Sequence, residues 1–433
     1  MTNPISFVFS SAFVLIAHAA MLLNVYFSGQ FTDVKDFAIL AGAVVAMDIV
    51  VTILMLTFGQ HAHTADFILL LILGASVIFQ SCFGGVSFAK KHFITCIAAL
   101  ASCRVGYLLC RDYKWLQTKK KFIWAAIGIM MIVILTLTGS RSMWIDLGFM
   151  TIQPSEFIKP LLILACATSI QEQQNKHKIL KFDIVYENLI LFGIVAAVCL
   201  LQWWCRDLGS IPTFAAIYAS GFLLRICYPK AKFSTKTLIF AGAAVAAAAV
   251  VGVLFAPAYV KERLFADIWN DTSGSGYQQT QALIAVADGG WFGKGPGKGD
   301  LCNIFAHESD IVFATISEEW GLLFAVMTVL MLLLLVAIPL VNPPRSYFHG
   351  TMCAGVCAAF TVQMALNIFG SCNLIPFTGV TLPFIAEGGS SMATSGFMAG
   401  MIVAAQSPVI KKIKPKKSAR SAGPKQKKGG KAA

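Results

Sequence analysis

His307-Glu308-Ser309-Asp310-Ile311 runs directly into an apolar stretch that carries Ser317-Glu318-Glu319-Trp320-Gly321. A carboxylate at the mouth of an apolar helix can take a proton from a hydroxyl or cap the helix end. Seven residues on, Ser317 shares the helical face of Asp310, while Glu318 falls roughly 80° round and about 12 Å deeper. Two adjacent acids in an apolar span are costly unless they are paired or line a cavity. From spacing alone, Asp310 is either part of a site or an N-cap. The Glu pair either serves a site or holds neighbouring helices together.

Three further blocks carry polar chemistry. Gln153-Pro154-Ser155-Glu156-Phe157-Ile158-Lys159 follows Trp144 and reads as a helix start with Pro154 at N1. Glu156 and Lys159, three apart, meet on one face, as a structural ion pair or as part of a site. Cys205-Arg206-Asp207-Leu208-Gly209-Ser210 puts a charged pair between two apolar spans. It reads as a broken helix pair, with Asp207 capping the second helix. Gly276-Tyr277-Gln278 precedes a glycine-rich run, 289–299, that holds Lys294 and Lys298. Amide nests with two lysines could cradle a phosphate, but the spacing is not that of a nucleotide P-loop, and a plain flexible loop fits equally. Last comes 373–391, a loop with Pro376, Thr378, Gly379, Pro383, Ser390 and Ser391.

The elements that must position these groups are membrane helices. Hydrophobic residues make up 57% of the 433-residue chain and charged residues 13%, with a mean hydropathy of +0.73. That composition excludes a soluble enzyme, a coiled coil and a disordered chain. The net charge is +13, of which +10 sits in 411–433, leaving +3 for the rest. A nucleic-acid-binding protein would spread such charge over a folded surface, so no nucleic-acid partner is expected. Twelve stretches are apolar and near the length of about 20 residues that crosses a bilayer. They are 5–27, 37–59, 67–88, 93–110, 122–138, 157–171, 188–205, 208–227, 237–257, 311–340, 350–370 and 392–407.

Cation clusters (Arg111, Lys114 and Lys119–Lys121; Lys176, Lys178 and Lys181; Lys230, Lys232 and Lys236) follow even-numbered spans, as does the tail. Both termini are therefore expected in the cytoplasm, with only Lys90-Lys91 against the trend. This puts the two long irregular segments, 258–310 and 371–391, on the outer face, where chemistry is to be sought. The twelve cysteines lie mostly inside spans and lack zinc spacing, and pairing of Cys302 with Cys372 stays open.

Taken in order from Trp144 to Gly400, these blocks resemble the SEDS family, the FtsW, RodA and SpoVE type of polytopic protein. Arg206-Asp207-Leu208-Gly209 resembles the family's Gln-Pro-Asp-Leu-Gly block, and Ser309-Asp310 through Glu318-Glu319-Trp320-Gly321 its Thr-Asp-Phe…Glu-Glu-Leu-Gly helix. Pro376-Phe377-Thr378-Gly379…Leu382-Pro383-Phe384…Gly388-Gly389-Ser390-Ser391 is similar to its last loop. Departures include Cys205-Arg206 for Gln-Pro, Ser309 for Thr, Ile311 for Phe and Ala386-Glu387 for a Ser-Tyr-like pair.

The resemblance implies an all-α polytopic membrane protein of about 12 transmembrane helices. Two added helices (1–66) precede a ten-helix core (67–410), and a basic tail (411–433) follows. It also implies a peptidoglycan glycosyltransferase that polymerises lipid II at the outer face of a bacterial cytoplasmic membrane, with Asp310 as the base. Trp144, Gln153, Glu156, Lys159, Arg206, Asp207, Tyr277, Gln278, Lys294, Lys298, Glu318, Glu319, Thr378, Ser390 and Ser391 are the expected substrate-binding residues. The leaving pyrophosphate would meet cations drawn from Arg141, Lys159, Arg206, Arg263, Lys294 and Lys298, or a divalent ion (Mg or Mn). Lipid II, membrane lipid and a class B penicillin-binding transpeptidase are the implied partners. The competing readings are a flippase for the lipid-linked precursor and a non-catalytic scaffold.

Overall fold

The computed structural model describes residues 4–58, 63–137, 144–146, 151–170, 177–179, 182–228, 275–344 and 346–407. The chain is an all-α, multi-pass membrane fold. Among the described residues its helices are α1 (Pro4–Ser28), α2 (Val34–Phe58), α3 (Thr64–Cys110), α4 (Tyr113–Thr118), α5 (Lys120–Leu137), α6 (Pro154–Thr168), α7 (Tyr186–Trp204) and α8 (Ser210–Ile226). They continue with α9 (Ser275–Gly289), α10 (Val312–Val341), α11 (Tyr347–Ser371) and α12 (Gly389–Gln406). Two short antiparallel pairs, Ile145–Asp146 with Thr151–Ile152 and His177–Ile179 with Phe182–Ile184, flank α6. Among the described residues, six helices are long and apolar enough to cross a bilayer unaided: α1, α2, α3, α7, α10 and α11. The expected ninth span, 237–257, and the basic tail lie outside the described residues.

The 47 residues of α3 hold two of the expected spans. Gly84 (φ −148°) and Gly85 (φ +69°, ψ −161°) leave helical geometry and turn the chain back on itself. The fold-back is fixed by His92 Nε2 at 2.7 Å from Ser76 Oγ, and by the Cys96 thiol, which donates to the Leu73 carbonyl at 3.9 Å. The second arm crosses α12 at backbone contact. A Cβ on Gly396 would meet the Ala99 carbonyl oxygen at 2.1 Å, and one on Gly400 the Cys103 carbonyl oxygen at 2.1 Å. This small-xxx-small spacing lets two apolar helices approach where lipid offers no hydrophobic drive.

Gly400→Val is therefore expected to lower the thermal midpoint in detergent, by about 1–3 kcal/mol of overpacking or more. Gly42→Ala, on a face with open space, should leave the midpoint within about 1 °C. Equal midpoints for the two variants would contradict the close crossing.

The N-terminal helices join the bundle through a polar contact. His18, fully buried on α1, places Nδ1 2.8 Å from Asp48 Oδ2 of α2 and Nε2 3.1 Å from the Leu71 carbonyl oxygen of α3. The helix break expected at Arg206-Asp207 is present, since α7 ends at Trp204 and α8 begins at Ser210. Lys91, the cation that ran against the charge pattern, forms an ion pair with Glu387 of the 371–391 segment. It thus lies on the same face as that segment, hereafter the site face.

Candidate active site

Asp310 stands one residue before Ile311, the N-cap of α10, so it is not the cap itself. Its backbone N–H donates to the Ala306 carbonyl at 2.9 Å, and its Oδ1 accepts from the Ser309 hydroxyl at 3.2 Å. Asn367, buried on α11, donates its side-chain amide to the carbonyls of Asp310 (2.9 Å) and Val380 (2.8 Å). One side chain thus ties the acid to the last loop. Gln80 of α3 does the same from the other side, donating to the carbonyls of Glu308 (3.0 Å) and Ile385 (3.1 Å). Gly379, at φ +66°, brings the loop so close that a Cβ there would lie 3.1 Å from Asp310 Oδ2. Burial pushes the Asp310 carboxyl up to about 6, the Ser309 hydroxyl opposes this, and the Glu308 charge adds to it.

The same loop touches a second acid cluster. A Cβ on Gly209 would lie 2.7 Å from the Thr378 carbonyl oxygen, so Thr378-Gly379-Val380 separates Asp310 from the α7–α8 break. There Asp207 accepts from the Ser210 hydroxyl (2.8 Å) and from the Gln153 amide (3.0 Å). Burial raises the Asp207 carboxyl, the Ser210 hydroxyl and the Lys159 charge lower it, and the Glu156 charge raises it further. Beside it, Lys159 donates to Glu156 Oε1 at 2.5 Å, both side chains being buried on α6. The Thr394 hydroxyl of α12 reaches Glu156 Oε2 at 3.4 Å, and the Gln153 backbone N–H donates to Ser390 Oγ at 3.2 Å. Ser391 Oγ lies 3.0 Å from Thr381 Oγ1, and the buried Thr378 Oγ1 has no hydrogen-bond partner.

The glycine-rich run that carries Lys294 and Lys298 is bonded along a helix. It packs on the upper part of α10, where Gly321 (φ +87°) kinks the helix. The N–H groups of Lys294 and Gly295 donate to the Glu318 and Glu319 carbonyls at 2.8 and 3.0 Å. Glu318 Oε1 accepts from Lys294 Nζ (2.8 Å) and the Asp300 N–H (2.9 Å), and its Oε2 from the Leu301 N–H (2.9 Å). Glu319 Oε2 accepts from the Gly297 N–H at 2.9 Å. Lys294 also reaches Asp300 and Asp288, and Glu318, with these two carboxylates, holds its ammonium well above the usual lysine range.

Glu318→Gln is expected to weaken charge-assisted bonds of about 1.5–3 kcal/mol. Amide exchange at Asp300 and Leu301 should then speed up by roughly tenfold or more. Unchanged exchange there would contradict this role.

The family model whose description reads "Cell cycle protein", covering FtsW, RodA and SpoVE, matches residues 54–409. The chain belongs to this family. Among curated relatives, a probable peptidoglycan glycosyltransferase FtsW of Tolumonas auensis is 30% identical over 323 residues, covering 70% of this chain and 79% of its own. Stage V sporulation protein E of Bacillus subtilis is 26% identical over 369 residues, covering 82% and 94%. Two solved structures share the fold. One is a chain of a peptidoglycan synthase complex described as coordinating polymerization and crosslinking (TM-score 0.61, 19% identity, 79% of this chain and 97% of that one). The other is Thermus thermophilus RodA (TM-score 0.51, 18% identity, 80% and 97%). Family membership and the apolar helices make this a multi-pass bacterial membrane protein.

Within the FtsW, RodA and SpoVE frame, the structure brings Gln153, Glu156, Lys159, Asp207, Asp310, Thr378, Ser390 and Ser391 around one loop. Lys294 pairs with Glu318, while Glu319 accepts from the Gly297 N–H, in a separate cluster further along α10. Gln278 donates to the Phe305 carbonyl at 2.9 Å. Trp144, Tyr277, Arg206 and Lys298 are exposed, and Arg206 adopts φ +64° in the helix break. Arg141 and Arg263 lie outside the described residues. Cys302 and Cys372 are free thiols. Among the described residues no group of three or more His, Cys, Asp or Glu side chains is placed to hold a metal ion. The sequence reading passed over Gln80, Asn367 and Thr394, which tie the site together. Their signal was a polar side chain inside an apolar span.

Proposed function

We propose that this chain is a peptidoglycan glycosyltransferase that polymerises lipid II, with Asp310 as the general base. Asp310 carries the reading. It is a partly buried carboxylate raised to about 6, on a backbone segment whose Asp310 and Glu308 carbonyls accept from the Asn367 and Gln80 side-chain amides, and it faces a loop with no side chain at Gly379. A base of that kind is ionised at neutral pH yet basic enough to accept a hydroxyl proton. In the step, Asp310 takes the proton of an acceptor sugar hydroxyl. The hydroxyl oxygen attacks the anomeric carbon of the donor, the carbon–oxygen bond to the pyrophosphate breaks, and undecaprenyl pyrophosphate leaves with the electron pair. Lys159, buried beside Asp207, is the cation we assign to stabilise the departing charge.

The names borne by the relatives support the activity, and the site face is the outer one when both termini are cytoplasmic. A class B penicillin-binding transpeptidase is the partner that would crosslink the strands. The precursor-flippase reading asks for a polar path through the bundle. The clusters described above gather instead at one face. The test is to supply fluorescent lipid II to the purified protein in vesicles, with and without the transpeptidase. Glycan strands without translocation above protein-free vesicles are expected, and translocation without strands would overturn the proposal.

A further inference from the structure

We infer that Trp291 and Phe292 form an anchor in the lipid headgroup layer of the leaflet on the site face, so that the glycine-rich loop fixes the depth of the site in the membrane. Helix α10 changes character at Gly321. Every residue from Val312 to Gly321 is buried, whichever way it points. From Leu323 onward the helix has one buried stripe (Ala325, Thr328, Leu332, Leu335, Ile338) and one exposed apolar face (Leu323, Val326, Met327, Leu330, Leu333, Leu334). At 1.5 Å per residue, Leu322–Val341 is roughly 30 Å long, the thickness of a bilayer's hydrocarbon core. The lower part of α10 therefore fills the hydrocarbon layer, and Gly321 marks its boundary. The Glu pair lies just beyond it, which removes the cost of two acids in the apolar layer.

The loop meets α10 at that boundary. The N–H of Leu322 donates to the Gly290 carbonyl at 2.9 Å and that of Leu323 to the Trp291 carbonyl at 3.3 Å. At this level Trp291 is 68% and Phe292 84% exposed, continuous with the lipid-facing stripe that starts at Leu323. Large aromatics favour the interface between acyl chains and headgroups, and the bonds to Glu318 and Glu319 keep this pair from retracting. A second element agrees. The 19 residues of α7, about 28 Å, end at the site face on the exposed Trp203 and Trp204. Lipid is thus the occupant that fits, and the inference does not depend on the chemistry proposed for Asp310.

The test uses the full chain in nanodiscs of brominated phosphatidylcholine, taking the emission lost in Trp291→Phe as the signal of Trp291. Phe292→Trp supplies an independent reporter. Both reporters should be quenched at least twofold more by lipid brominated at carbons 6 and 7 than at carbons 11 and 12, and little by aqueous iodide. Strong iodide quenching with no effect of either brominated lipid would overturn the anchor. So would bromine quenching that disappears when the transpeptidase is added, since the pair would then be a protein-docking surface.

Discussion

Asp310→Asn is expected to lower glycan-strand synthesis by roughly 10³-fold, within the range that general-base catalysis supplies. The fold should survive, because asparagine keeps the size and can still accept from Ser309. Stability should move the other way. The folded pKa of about 6 lies above the ordinary value of 3.8, so the folded state holds the proton more tightly than the unfolded chain. The stability this gives is present below about pH 4 and is lost as pH rises through about 6. Above pH 6 the variant should therefore be more stable than the wild type by up to about 3 kcal/mol, a gain that vanishes at pH 4. The wild-type rate should fall about tenfold per pH unit below 6. A rate that stays flat from pH 7 to 4.5, or an active Asp310→Asn, would remove the base assignment.

Lys159→Met should be the most destabilising single change at the site, costing about 3–5 kcal/mol. It leaves Glu156 charged and buried with only the Thr394 hydroxyl at 3.4 Å. Converting the partner as well, in Glu156→Gln/Lys159→Met, should recover most of that loss, because no buried charge is then left alone. Strand synthesis should not return with stability, since the cation beside Asp207 is still missing. Thermal melts and synthesis rates of the two single variants and the double variant measure both. A double variant that is stable and fully active would reduce the pair to a structural contact.

Much of the fold was legible in the chain because lipid imposes a simple rule. Each span must be apolar and helical, so its position can be read directly. The break at Arg206-Asp207 and the helix start at Pro154 were visible for the same reason: each is a polar interruption of an apolar run. The depth of Glu318 and Glu319 was not visible, since α10 is apolar along its whole length. Only the exposed stripe that starts at Leu323 and runs for roughly 30 Å assigns the upper part to a level beyond the hydrocarbon. Nor could composition tell a phosphate-binding glycine loop from one that packs on a helix. Gly293 is needed because a Cβ there would lie 2.3 Å from the Glu319 carbonyl oxygen, a contact between segments far apart in sequence. Lys294 looked available for a ligand because its three carboxylate partners are spread from Asp288 to Glu318.

The central claim is that the carboxylate of Asp310 drives strand synthesis at the site face. Its most direct measurement is polymerisation of lipid II by the purified wild type and by Asp310→Asn, side by side, with the class B penicillin-binding partner present. The expected result is a ladder of glycan strands from the wild type and unreacted lipid II from the variant, with equal or higher thermal stability in the variant. Strands of equal length and rate from both proteins would contradict it.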